Sequence, residues 1–461
     1  MAESRARRPR VSRRASPTVL ERINPDAAGI DCGGSMHVVA VPPDRDDHPV
    51  QSFRTFTTDL HRLADWLVAC RVTTVALEST GVFWIPVYEI LEARGLTVQL
   101  VNARHVRNLP GRKSDVSDAE WLRDLHSVGL VRGSFRPTAD IVALRTYLRH
   151  RHTLVELSAM HVQRMQKALV QMNLQLPSVV SDITGETGLR IIRAIVAGTH
   201  DPAVLATYRN WRCRASPAEI TAALTGHYRP ELVFALRQNL ELYDACQRQI
   251  DVCDQAIEAH GRELTAAITP PGPLPPARAA RQRIEPAFEV RAVLHHLTGG
   301  VDLTQIDGIG AYTALKLIGE IGTDMRRWST AQHFTSWLTL APKNKVSGGR
   351  LLGSQTQPSA NRAANAFRLA AAALGRTSTA LGAFYRRLAA RTGKPHAVTA
   401  TARKLAVLVY HVLKGDFVYK DPGEHAYEAH QRARHLRQLR QRATRLGFAL
   451  VDPHTGEVFA G

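Results

Sequence analysis

Thr74-Val75-Ala76-Leu77-Glu78 is a short apolar run closed by a carboxylate. A run of that length with a β-branched residue reads as a buried strand. An earlier run, Gly29-Ile30-Asp31, closes the same way, and Val38-Val39-Ala40-Val41 follows as its hairpin partner. Gln51-Ser52-Phe53-Arg54-Thr55-Phe56 alternates like a third strand. Leu60, Leu63, Ala64 and Leu67 stand at helical spacing before the Glu78 strand. After it, a helix through Val87, Ile90 and Leu91 leads to Gly95, a C-cap residue. Leu96-Thr97-Val98-Gln99-Leu100-Val101 is a fifth strand, and a helix opening at Asp115 and Asp118 ends the unit. A three-strand meander followed by helix, strand, helix, strand and helix is the layout of a mixed α/β, RNase H-like domain.

Four acids in this unit suggest a cation site. Asp31 and Glu78 end neighbouring strands, and Ser79-Thr80-Gly81 lets the chain turn beside Glu78. Asp115 and Asp118 share one face of a helix, roughly 5–6 Å apart at Cβ. Such a pair repels itself unless a proton or cation sits between. It also suits the positive end of a helix, and the two strand-end acids are what favour metal over that simpler explanation. Divalent cations of the Mg²⁺ type want hard oxygen ligands and bridge to phosphates, and two of them can clamp a phosphodiester. Glu120 and Asp124 compete for the same role within the helix, and Lys113 precedes the acids where it could hold a phosphate.

The chain has 461 residues, 44% hydrophobic, with a formal net charge of +19. That length allows two or three domains, and that charge points to a polyanion, nucleic acid before anionic membrane. No apolar run is long enough to span a bilayer, and the N-terminus is Arg-rich without an apolar signal core. Five scattered cysteines form no C-x-x-C pair, so a disulfide framework or structural zinc is not expected and a reducing, cytoplasmic setting is.

The organisation read from composition is a basic arm at 1–26, the α/β domain at 27–135, a helical region at 136–268, a Pro-rich linker at 269–294, a mainly helical C-terminal domain at 295–415 and a basic tail at 416–461. In the helical region Ile141, Leu144, Leu148, Val155, Val162, Met165, Leu169 and Met172 fall on a heptad seam, with Arg151 and Ser158 in two of its slots. A second seam runs through Leu236, Leu240, Tyr243, Cys246, Ile250, Cys253, Ile257 and Leu264. Two such helices suggest a coiled-coil arm, or equally a small bundle inside one monomer.

Two motifs mark the C-terminal domain. Ile306-Asp307-Gly308-Ile309-Gly310 before a helix resembles the hairpin of helix-hairpin-helix modules, in which Gly308, Gly310 and the helix N-terminus would face a DNA phosphate. The same glycines also suit a tight turn into a buried helix. Lys343-Asn344-Lys345-Val346-Ser347-Gly348-Gly349-Arg350 reads as a flexible basic loop. Its glycines let backbone approach a ligand, and Lys343, Lys345 and Arg350 would stabilise charge on a phosphorane-like transition state around Ser347. No histidine neighbours Ser347 as a base, so a metal-activated hydroxyl is the chemistry such a serine would use.

In order and spacing, Asp31, Glu78, Asp115-x-x-Asp118, the helical seams, Ile306-x-Gly308-Ile309-Gly310 and Ser347-Gly348-Gly349 resemble the IS110/IS1111-type DEDD transposases. The resemblance covers about residues 27 to 130 and 300 to 375. It implies a RuvC-like catalytic domain, a coiled-coil arm and a C-terminal transposase domain. It implies that Asp31, Glu78, Asp115 and Asp118 bind Mg²⁺, with Mn²⁺ as a substitute, and that Ser347 is the covalent nucleophile. It further implies double-stranded DNA as substrate (element ends and target), a structured noncoding guide RNA, a dimer or tetramer with a site shared between protomers, and a nucleoid-associated place in a bacterial cytoplasm. The chain departs from the family pattern where Arg350 replaces a usual Lys, at 353–358, and in the Pro-rich stretch. Ser354 and Ser359 are the alternatives if the loop register shifts. The rival expectations are a RuvC-like nuclease or junction resolvase that uses water, with Ser347 a spectator, and a scaffold whose acids only cap helices.

Overall fold

The computed structural model describes residues 21–78, 81–102, 117–269, 271–278, 282–451, 456 and 458–459. The chain divides into two compact units, Met1–Arg136 and Pro137–Gly461.

In the first unit the strands are β1 (Ala27–Cys32), β2 (Met36–Ala40), β3 (Val50–Arg54), β4 (Thr74–Glu78) and β5 (Thr97–Val101). They form one sheet in the order β3-β2-β1-β4-β5. β1–β2 and β2–β3 are antiparallel, whereas β1–β4 and β4–β5 are parallel. This mixed sheet with parallel central strands is consistent with the RNase H-like layout. Helices α1 (Thr57–Ala69), α2 (Trp84–Ala93) and α3 (Asp118–Ser127) make the crossovers and the close. The two-residue period of the strands decides which helix each side chain meets. Ala28, Ile30, Val75 and Leu77 pack with Leu60, Leu63, Leu67, Val87 and Leu91 of α1 and α2. Ala76 and Val101 face the other way and pack with Leu122 and Leu125 of α3.

Gly29 explains why α3 lies so close to the sheet. A Cβ at that position would sit 2.2 Å from the Ala119 carbonyl oxygen and 2.4 Å from the Arg123 nitrogen. The helix backbone rests directly on β1, a packing open only to glycine. Arg123, itself buried, donates to the Val41 carbonyl at 2.9 Å and fixes the helix over the end of the β1–β2 hairpin.

The second unit is helical apart from short hairpins. It opens with α4 (Ala139–Gln171), followed by the short cap helices α5 (Leu176–Val179), α6 (Glu186–Val196), α7 (Pro202–Ala206) and α8 (Pro217–Leu224), and then α9 (Pro230–Thr265). α4 and α9 pair antiparallel, since Arg151 meets Asp254, Ser158 meets Gln247 and His161 meets Asn239. The two polar slots of the seam are thereby explained. Arg151 and Asp254 are 2% and 3% exposed and bonded to each other at 2.5 Å, and Gln247 donates to Ser158 Oγ at 2.8 Å. A buried charge is tolerable only when paired in this way.

The chain continues through α10 (Val290–Leu297), α11 (Ala311–Ile321), α12 (Ala331–Trp337), the hairpin of β6 (Lys343–Ser347) and β7 (Arg350–Gln355), then α13 (Arg362–Leu374), α14 (Ala380–Thr392), α15 (Lys394–Lys414) and α16 (Gly423–Arg445). Phe334, Phe367, Leu405 and Tyr410 are fully buried among these helices. The Pro-rich stretch is mostly exposed but pinned, because Arg291 and Gln305 donate to the Pro275 and Pro276 carbonyls. Among the described residues, no helix is long and apolar enough to cross a membrane.

Candidate active site

Strand parity and register bring two of the expected acids together. Ile30 pairs with Leu77 in the parallel β1–β4 ladder, so Asp31 and Glu78 come next to each other as the two strands end. Each has the parity of a residue facing α3, Gly29 in one case and Ala76 in the other. Both are half-buried. Burial pushes the adjacent Cys32 thiol far above its ordinary range, and the charges of Asp31 and Glu78 push it further, so both carboxylates act on one point.

Asp118 is the first residue of α3, the helix that lies across β1. Ser117 caps that helix: its hydroxyl accepts from the Glu120 nitrogen at 3.2 Å, while the Glu120 carboxylate accepts from the Ser117 nitrogen at 3.2 Å. This reciprocal capping box fixes where Asp118 stands. The Glu120 carboxylate is engaged in that box, and the Ser117 hydroxyl holds it below its ordinary range. Asp124 is likewise engaged, by two bonds from Arg123 at 3.0 and 2.8 Å. Asp115 and Lys113 lie outside the described residues.

The donor set suits a hard divalent cation, being carboxylate oxygens at the ends of adjacent strands. Among the described residues, however, no three His, Cys, Asp or Glu side chains converge tightly enough to hold a metal. The described acids supply a pair on adjacent strands, with Asp118 at the start of the helix that crosses them.

The segment read as a flexible loop is a β-hairpin. Ser347 pairs with Arg350 across a two-residue turn of Gly348 and Gly349, with φ of 54° and 75°. Two positive φ values in succession give the turn whose twist matches paired strands, and glycine adopts it without strain. Every residue of β6 is exposed, including Lys343, Lys345 and Ser347, and so is Arg350. A Cβ at Gly348, Gly349 or Gly353 would meet nothing within 4 Å. The hairpin therefore stands clear of the body of its unit at these positions. The alternative serines have structural work: Ser354 donates to Asn344 at 2.9 Å across the hairpin, and Ser359 accepts from the Asn361 nitrogen at 3.0 Å.

Gly308 has φ of 83°, and a Cβ there would sit 2.9 Å from Leu374, so part of this turn is packing against α13. Asp307 beside it accepts from Tyr419 at 2.7 Å and pairs with Arg278. Burial raises the Asp307 carboxyl above its ordinary range, against the lowering influence of Tyr419 and Arg278. Gly310 is the N-cap of α11. Sequence reasoning missed Arg123, whose buried guanidinium positions α3. Its only signal was an arginine one turn below Asp118 on a helix that also presents Ala119 and Leu122.

Two family models match the chain. One, for the IS110 DEDD transposase and described as a transposase, matches residues 28–174. The other, described as the transposase IS116/IS110/IS902 family, matches residues 302–386. The chain belongs to the IS110-type transposases. The first match takes in Asp31, Glu78 and Asp118 together with α4, and the second takes in the turn into α11 and the Ser347 hairpin. In this IS110-type transposase the two matched segments are separate in sequence, one carrying the acids and the other the basic hairpin. No curated protein gave a significant match.

Proposed function

We propose that this transposase exchanges DNA strands through a covalent protein–DNA link on Ser347. The observation that supports this best is the glycine turn, which holds an exposed serine opposite Arg350 with Lys343 and Lys345 on the same strand as the serine. Ser347 Oγ attacks the phosphorus of a scissile phosphodiester. The Oγ–P bond forms as the bond to the departing sugar oxygen breaks. The serine proton is released, and the sugar oxygen leaves as a hydroxyl after taking up a proton. Lys343, Lys345 and Arg350 bind the phosphate oxygens and offset the charge that builds on them. A second sugar hydroxyl then attacks the phosphoserine and frees Ser347, so the bond energy is kept without ATP.

Asp31, Glu78, Asp115 and Asp118 would hold Mg²⁺, or Mn²⁺ in its place. Bound there, the cation would supply Lewis-acid stabilisation of the phosphate oxygens and lower the pKa of an attacking hydroxyl. Lys113 holds a neighbouring phosphate. Gly308, Gly310 and the start of α11 present backbone amides to DNA, as a helix-hairpin-helix would. α4 and α9 serve as a coiled-coil arm between protomers of a dimer or tetramer, in which the acids of one copy serve the serine of another. A structured noncoding RNA supplies target choice by base pairing.

Denaturing gels of reactions with labelled DNA test the nucleophile. Wild-type protein should retain label and Ser347→Ala should not. Full strand exchange by Ser347→Ala would show that water attacks instead. Mixing Asp31→Asn with Ser347→Ala protein tests the shared site, because activity should return only if two copies build one centre.

A further inference from the structure

Trp211 is 78% exposed, the most exposed of the described aromatic residues in its unit. It lies in Arg209-Asn210-Trp211-Arg212-Cys213-Arg214, between α7 and α8, outside both segments that match the family. The loop around it is tightly held. Arg209 donates to the Ala215 and Cys213 carbonyls, both at 2.6 Å. Asn210 donates its backbone nitrogen to Thr187 Oγ1 at 3.0 Å and its side-chain nitrogen to Glu186 at 2.6 Å, and accepts from the Arg212 nitrogen at 2.9 Å. Trp211 is thus held out by a stapled loop. The Arg212 guanidinium lies 4.9 Å from its ring centre, and the exposure of the indole leaves its remaining surface open.

Such an arrangement suits a flat, anionic partner. Arg212, over the ring, and Arg214, three residues along the loop from Trp211, are both exposed, while the nearby acids are engaged, Glu186 by Arg190 and Asn210 and Glu219 by its capping box with Ser216. A protein partner would favour an indole set in a broader apolar patch, but here it stands among cations. An aromatic ring flanked by arginine is the platform on which unpaired bases stack. Paired DNA hides its base faces, whereas RNA loops leave theirs unstacked.

We propose that Trp211 and Arg212 form a stacking platform for an unpaired base in an RNA loop, with Arg214 binding the adjoining phosphate. The inference rests on the RNA partner proposed above. The test titrates full-length protein against an RNA hairpin with a uridine loop, the same RNA annealed to its complement, and a DNA hairpin of the same sequence. Trp211→Ala should weaken binding to the looped RNA by about five- to a hundredfold. Trp211→Phe should recover most of that loss, the paired RNA should bind as before, and the melting temperature should not move, because the indole is exposed. The platform is refuted if Trp211→Ala binds looped RNA as tightly as wild type, loses looped and paired RNA equally, or shows its loss only with DNA. Failure of wild-type protein to bind looped RNA would remove the RNA partner itself, and the platform with it.

Discussion

The C-terminal ends of β1 and β4 and the Ser347 hairpin hold their candidate groups by opposite means. Asp31 and Glu78 stand near or at the C-terminal ends of strands whose residues Ile30 and Leu77 are fully buried and whose register is locked by core packing on both faces. Slipping either strand by one residue would turn its acid to the wrong face. Ser347 ends a strand with no buried residue, and its place is set by a two-glycine turn and a ladder of backbone bonds. An isolated two-stranded hairpin is marginal in water. The acids are thus placed by the folding of their unit, while the serine is placed locally by its own hairpin.

That contrast can be broken most sharply with the proposed chemistry. Asp31→Asn should cut strand cleavage by about three orders of magnitude, measured as product in single-turnover reactions with Mg²⁺. DNA affinity and melting temperature should stay near wild type, and an equally active variant would separate the strand-end acids from catalysis. Next comes Gly29→Ala, which sets a methyl against the α3 backbone and should destabilise the first unit by about 3 kcal/mol in urea titrations. A neutral result would mean that α3 can lift off β1. Ser117→Ala removes half of the capping box and should cost about 1 kcal/mol in the same assay. Gly353→Ala adds the same methyl as Gly29→Ala, but where nothing lies within 4 Å, so stability should change by no more than about 0.5 kcal/mol. A large loss there would show that the hairpin is packed after all.

The sheet is readable because its strands are short apolar or alternating runs of the right length bounded by turn residues. The α4 and α9 seams were readable for the same reason, as their apolar positions recur with the helix. The partner of Arg151 was not readable. Asp254 stands 103 residues away on a helix whose own pattern gives no hint of it. The hairpin at 343–355 looks like a flexible loop in the sequence because Val346, Leu351 and Leu352 remain exposed, so no face is buried to produce alternation. Its decisive signal is the Gly348-Gly349 pair, which suits room for a ligand as well as a turn. Within the acidic helix, the sequence points to Asp118 with Glu120 and Asp124 as competitors, and it gives no sign of the capping box and the Arg123 contacts that engage the latter two.

The exposed turn carries a liability as well. Lys343, Lys345 and Arg350 stand on strands with no buried residue, which is how a tryptic site looks to a protease. Limited digestion of the free protein should nick the chain beside Ser347, and shielding of that cut would report when the hairpin has been covered, even where no strand is ever broken.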